Sequence, residues 1–145
     1  MEFSRHVTIN WTGSVMEGSG MVAAGSGAFS LPVTFPRRIG EPEGMTSPEE
    51  LMAAAHAACF AMALNGAVGR KGGAIAKTQI TCKVTADKGE AGIKITTSAL
   101  TLVVEGLTGI EAAAFPEVAK EAESKCPVSN AYRGSMKVTL ETVVK

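Results

Sequence analysis

Polar and apolar residues alternate over the first part of the chain. Arg5–Thr12 and Gly20–Ala24 read as two strands, split by the turn-like segment GSVMEGSG. GAFSLPVTFP continues extended, with Pro32 and Pro36 suited to an edge or a strand end. RRIGEPEGMT reads as a loop. The pattern then changes: from Leu51 to Gly69 there is no Asp, Glu, Lys or Arg, and alanine dominates. Ser47 suits an N-cap, Pro48 the first helical position, and Glu49 and Glu50 the positive end of the dipole. Glu50, three residues after Ser47, would complete a capping box. A helix is expected from Pro48 to Gly69, with Arg70 and Lys71 near its negative end and Gly72-Gly73 beyond.

Alternation resumes in Thr78–Asp87 and Gly92–Val104, joined by the turn KGEAG, which predicts an antiparallel hairpin. Phe115, Val118, Ala119 and Ala122 have the spacing of an amphipathic helix, which Pro116 would restart at its first turn. CPVSNAYRG opens a further short helix, with Pro127 in its first turn and Gly134 at its end, and SMKVTLETVV is a last alternating strand. The chain of 145 residues suits one domain, 1–145, of the α+β class.

The uncharged helix is about long enough to cross a bilayer. Its alanines, His56, Asn65 and two glycines instead suit a buried helix of a soluble protein, and 46% hydrophobic against 19% charged residues is the balance of such a protein. The N-terminus lacks the apolar core of a signal peptide, so a cytoplasmic protein is expected, away from membranes. Fourteen basic residues offset fourteen acidic ones, and this balance gives no footprint for nucleic acid. A helix apolar on every face needs cover on every face. The sheet covers one side; the small side chains of Ala54, Ala55, Ala58 and Ala61 would admit either the same helix of a second copy or the shorter C-terminal helix. The width of the apolar face favours the homodimer.

Three cysteines are too few for a secreted disulfide framework, and no CxxC or spaced histidine set suggests a metal. Cys82 lies in a strand. A thiol inside an apolar helix, as at Cys59, is ordinarily inert. Two features point the other way. Cys126 stands before a proline at a helix N-terminus, and Arg37 and Arg38 are cations able to hold a thiolate, with Glu49 able to orient a guanidinium by bidentate pairing. His56, three residues before Cys59, suggests a Cys–His acyl-transfer pair or, more simply, a core histidine. Met45, Met52, Met62, Phe60 and Phe115 are core residues or walls of an apolar pocket. A non-catalytic module enclosing an apolar ligand is the other class of function.

The segments PEELMAAAHAACFAMAL and CPVS, with the order of strands and helices, resemble the OsmC branch of the OsmC/Ohr family over nearly the whole chain. The resemblance implies antiparallel sheets wrapped around a long central helix in an intertwined homodimer. It also implies a peroxidase of organic hydroperoxides, and less efficiently of hydrogen peroxide, that uses no cofactor and no metal. Cys59 would be the peroxidatic cysteine and Cys126 the resolving one. Glu49 and one of Arg37 or Arg38, with Arg38 preferred, would complete the site. His56, Phe60 and Met45 would border the substrate, and a dithiol of lipoyl type would return the reducing equivalents. Glu49 and Cys59 are ten residues apart, about 15 Å along a regular helix and about 80° apart around it. An active site shared between subunits follows, with the Arg–Glu pair of one serving the cysteines of the other.

Overall fold

The computed structural model describes residues Met1–Lys145. In chain order the elements are β1 (Val7–Thr12), β2 (Ser19–Ala24), β3 (Ser30–Val33), α1 (Phe35–Ile39), α2 (Pro48–Arg70), β4 (Ala74–Gly89), β5 (Gly92–Thr108), α3 (Phe115–Ser124), α4 (Pro127–Arg133) and β6 (Lys137–Val144). They form an α+β chain of two compact units, Met1–Leu51 and Met52–Lys145.

In the N-terminal unit β1, β2 and β3 make an antiparallel meander. Trp11 pairs with Gly20, and a Cβ at Gly20 would come within 2.8 Å of the indole, so glycine is what lets the ring lie across the neighbouring strand. Every residue of β1 is exposed. Val7, Ile9 and Trp11 share one face of the strand and leave an apolar surface open in the single chain. The expected loop at RRIGEPEGMT instead begins inside a helix, α1. Thr34 caps it, its Oγ1 accepting the Arg37 N–H at 3.3 Å, and Pro36 supplies a preset first turn. Before α2 the Ser47 Oγ accepts the Glu50 N–H at 3.1 Å, as expected of an N-cap. The capping box is not completed: the Glu50 carboxylate accepts from the Thr46 hydroxyl at 2.9 Å instead.

In the C-terminal unit β4 and β5 form the expected hairpin, with β4 longer at both ends and β5, which starts at Gly92 as expected, longer at its C-terminal end; the register shifts between Thr85 and Ala86. The sheet is mixed rather than wholly antiparallel, because β6 runs parallel to β5, from Thr97↔Lys137 to Val104↔Val144. β5 is thus the central strand. Its inward row, Ser98, Leu100, Leu102 and Val104, is buried. The leucines and valine of that row join Phe60, Leu64 and Val68 of α2 and Phe115, Val118, Ala119 and Ala122 of α3 in one core.

α2 is long and apolar enough to cross a membrane by length and composition. Here one stripe of it, His56, Phe60, Leu64, Ala67 and Val68, is buried at i, i+4, i+8 spacing. The other side, with Ala54, Ala55, Ala58 and Met62, is exposed in the single chain. The cover expected on every face is therefore not supplied by one copy.

Candidate active site

Two side-chain clusters carry the residues singled out by the sequence. The first lies wholly in the N-terminal unit. The Arg38 Nε donates to both carboxylate oxygens of Glu49 at 3.0 and 3.1 Å, and Nη2 donates to Oε1 at 2.7 Å. The pair is largely sheltered, at 26% and 14% side-chain exposure, so its attraction is screened less than that of a surface pair. Burial raises the Glu49 carboxyl, but the Arg38 bonds outweigh it and hold the group below the usual carboxylate value. Arg37 turns elsewhere, to Glu43 at 2.6 Å and to the Glu41 carbonyl at 3.3 Å. Of the two arginines, Arg38 is the one Glu49 orients. Met45 is half-buried in the same unit.

The second cluster lies in the C-terminal unit and centres on two free thiols. Cys59 sits on α2, partly exposed, against the core that includes Cys126. Cys126 is fully buried at the N-cap of α4, in extended backbone conformation, because Pro127 fixes the first helical residue and restricts the one before it. Burial pushes the Cys59 thiol up; the Val128 backbone N–H from the first turn of α4 opposes this, and the adjoining Cys126 thiol adds to the rise. Cys59 alone is therefore a poor thiolate. It opens onto a groove of about 350 Å³. Met62, Ala63 and Ala67 of α2 line it beside Ala122 and Pro127, with Arg70, Glu121 and Lys125 as its charged groups. The two thiols thus adjoin one another, and the groove opens at Cys59.

His56 and Phe60 do not line that groove. Phe60 is fully buried in the core, where its volume fills the space under β5. His56 is also fully buried. Its Nδ1 lies 2.6 Å from Ser98 Oγ and its Nε2 lies 2.6 Å from Ser129 Oγ. Both ring nitrogens are taken, so neither is left to act as base for Cys59, and the acyl-transfer arrangement is not formed. The Cys82 sulfur lies 3.4 Å from Ser98 Oγ, and burial raises its thiol. Ser98 and Ser129 escaped the sequence reading. Ser98 had a signal, since it is the polar residue in an otherwise apolar inward row; Ser129 is the serine of CPVS.

A family model described as OsmC-like protein matches residues 40–141. The chain belongs to the OsmC family. Peroxiredoxin OsmC of Escherichia coli (strain K12) is 38% identical over 137 residues, covering 94% of this chain and 93% of that protein. Organic hydroperoxide resistance protein OhrA of Bacillus subtilis (strain 168) is 36% identical over 126 residues, covering 84% of this chain and 86% of the other. Among solved structures, an organic hydroperoxide resistance protein OsmC from Legionella pneumophila matches with a TM-score of 0.73 and 28% identity, covering 94% of this chain and 96% of that one. OhrB of Bacillus subtilis matches with a TM-score of 0.70 and 28% identity, covering 95% and 98%. Both are OsmC folds of the same size as this one.

Proposed function

We propose that this OsmC family member is a cysteine-based peroxidase of organic hydroperoxides, acting in defence against oxidative and osmotic stress. One observation carries the reading: Cys59 faces an apolar groove with a second thiol, Cys126, adjoining it from the buried side. The relatives, a peroxiredoxin and an organic hydroperoxide resistance protein by name, support the same chemistry.

The Cys59 thiolate attacks the terminal oxygen of ROOH. The O–O bond breaks, the alkoxide takes a proton and leaves as ROH, and the sulfur becomes a sulfenic acid. The Cys126 thiol then attacks that sulfur, expelling water and forming the disulfide. A dithiol, of lipoyl type in this reading, reduces the disulfide by exchange and becomes a disulfide itself. An alkyl peroxide suits the groove better than hydrogen peroxide, because its apolar part buries against Met62, Ala63 and Ala67.

The first step needs a cation beside Cys59 to hold the thiolate and the departing oxygen. Arg38 is the oriented guanidinium, and its anchor Glu49 is about 15 Å along the helix from Cys59 of the same chain. The reading therefore makes the enzyme a homodimer in which Arg38 and Glu49 of one copy serve Cys59 and Cys126 of the other, with Met45 arriving beside them as an apolar wall. The open alanine face of α2 and the open apolar face of β1 support such pairing, since both are surfaces that a second copy would cover. His56 and Phe60 stand behind Cys59 and shape its setting from the core. No nucleic acid or membrane partner enters this reading, and the protein works in the cytoplasm. Turnover of tert-butyl hydroperoxide with dihydrolipoamide tests it: the parent should consume peroxide continuously and Cys59→Ser should not. Peroxide consumption by Cys59→Ser at the parent rate would refute the reading.

A further inference from the structure

Two helices hold the two sulfurs, and a buried polar chain joins those helices. His56 stands three residues before Cys59 on α2, and Ser129 stands three residues after Cys126 on α4. The bond between His56 Nε2 and Ser129 Oγ, at 2.6 Å, spans the two. On the other side of the ring Nδ1 meets Ser98 Oγ of β5 at 2.6 Å, so the strand sets the ring's orientation. A second tie runs parallel to the first. The Tyr132 hydroxyl, also on α4, donates to the Met52 carbonyl at 2.9 Å, one turn before His56 on α2. The Tyr132 ring packs edge-on against the imidazole, with 5.3 Å between centroids. No buried side-chain nitrogen or oxygen is left without a partner. An apolar contact would pack α4 as well but would let it slide; a hydrogen bond at each nitrogen of a buried ring fixes one position.

We propose that His56, through Ser129, is a positioning residue for the resolving step: it holds the start of α4 so that the Cys126 thiol stays within reach of oxidised Cys59. This rests on the peroxidase reading above. Disulfide formation demands that the two Cα atoms come within about 7 Å, with the sulfurs in one narrow range of dihedral angles. Cys126 is the N-cap of a helix of only two turns, so the position of that helix sets the position of the sulfur. The condensation itself is the step already written: the Cys126 S–H attacks the Cys59 sulfenic sulfur, a sulfur–sulfur bond forms, and water leaves. Loss of the tie lowers the fraction of time in which the attack geometry exists, and the sulfenic acid waits longer in the groove, where a second peroxide converts it to the sulfinic acid.

The test follows the two steps separately. Reduced protein is mixed rapidly with tert-butyl hydroperoxide, sulfenic acid is trapped with dimedone, and the Cys59–Cys126 disulfide and the Cys59 sulfinic acid are counted by mass spectrometry. In Ser129→Ala the rate of disulfide formation relative to sulfenic acid formation should fall about tenfold, as expected for loss of one geometric constraint on two reacting groups. The sulfinic fraction at excess peroxide should rise with it. Tyr132→Phe, which keeps the ring and loses only the hydroxyl, should shift the same ratio in the same direction. Ser98→Ala removes the bond that does not reach α4; the His56–Ser129 bond remains, so the ratio should fall less than in Ser129→Ala, while thermal stability drops as loss of a buried hydrogen bond requires. A parent-like ratio in Ser129→Ala, or an equal fall in Ser129→Ala and Ser98→Ala, overturns the proposal. Where Ser129→Ala does not fold, a parent-like ratio in Tyr132→Phe overturns it instead. A parent protein that forms no sulfenic acid at Cys59 removes the peroxidase reading and this inference together; a parent that oxidises and resolves normally beside an unaffected Ser129→Ala removes this inference alone.

Discussion

Subunit mixing separates a shared active site from one built within a single chain. Arg38→Met removes the cation that Glu49 orients through three contacts of 2.7 to 3.1 Å. Loss of one donor to a developing oxyanion costs about 10²–10³-fold in rate, so Arg38→Met should be nearly inactive. Cys59→Ser should be inactive outright. In a mixed dimer under the shared arrangement, one site draws Cys59 from the Arg38→Met chain and Arg38 from the Cys59→Ser chain, and both groups are intact. Its other site lacks both. Random pairing of equal amounts makes half the dimers mixed, each with one working site in two, so about a quarter of the parent activity per site should return on mixing two nearly dead proteins. The assay is peroxide turnover before and after denaturing and refolding the two variants together, with differently tagged chains purified as the mixed species. A purified mixed dimer that stays as inactive as its parents would show that Arg38 and Cys59 of one chain work together. It would also mean that the Arg38 guanidinium reaches Cys59 in spite of the separation of about 15 Å between Glu49 and Cys59 along α2.

Cys126→Ser should reduce one peroxide per chain to leave Cys59 as the sulfenic acid, consume at most one more in passing to the sulfinic acid, and then stop, as mass spectrometry would read, because the thiol adjoining it is gone. Phe60→Ala should lower stability by about 3–5 kcal/mol, since it empties a fully buried ring site in the core; denaturant titration measures it. Stability should also depend on pH through His56. Burial holds the folded ring below its ordinary value, with Glu123 opposing and Arg133 adding to that shift. Below about pH 6.5 the unfolded chain therefore binds a proton that the folded chain does not, and stability falls as pH falls, by up to about 1.4 kcal/mol per pH unit from this group. His56→Gln should flatten that slope between about pH 6.5 and the lowered value. An unchanged slope would mean that the buried ring is not the group responsible.

The sequence carried the elements well wherever side-chain period or end chemistry determined them. Ser47 and Pro48 marked the start of α2, and Phe115, Val118, Ala119 and Ala122 marked the buried face of α3, because those signals are local. Helix α1 was missed. Its five residues are too few to show a period, and the cap at Thr34 was hidden in a stretch read as extended. The parallel pairing of β6 with β5 was also beyond reach, since an alternating strand has the same appearance in either direction. Glycines and prolines near GEPEG suggested a loop, and the turn is there, with Glu43 and Gly44 both at positive φ.

The site was legible to a different degree in its two halves. Two adjacent arginines and a glutamate eleven residues past the second could be read as a possible clamp, but only the pairing geometry separates Arg38, bound to Glu49, from Arg37, bound to Glu43. His56 looked like a wall of the thiol pocket because it lies near Cys59 on the same helix. Its place is behind the sulfur, because the ring's two nitrogens find Ser98 and Ser129, which are 42 and 73 residues away in sequence. Such a bond costs the chain a desolvated imidazole and two desolvated hydroxyls, which makes sense only where both nitrogens are satisfied. That requirement is not a property of any short segment. It turns a histidine with no free nitrogen from a weak candidate base into a fastening between the helices that carry Cys59 and Cys126. The same two serines that exclude it from acid–base chemistry are the evidence for what it does.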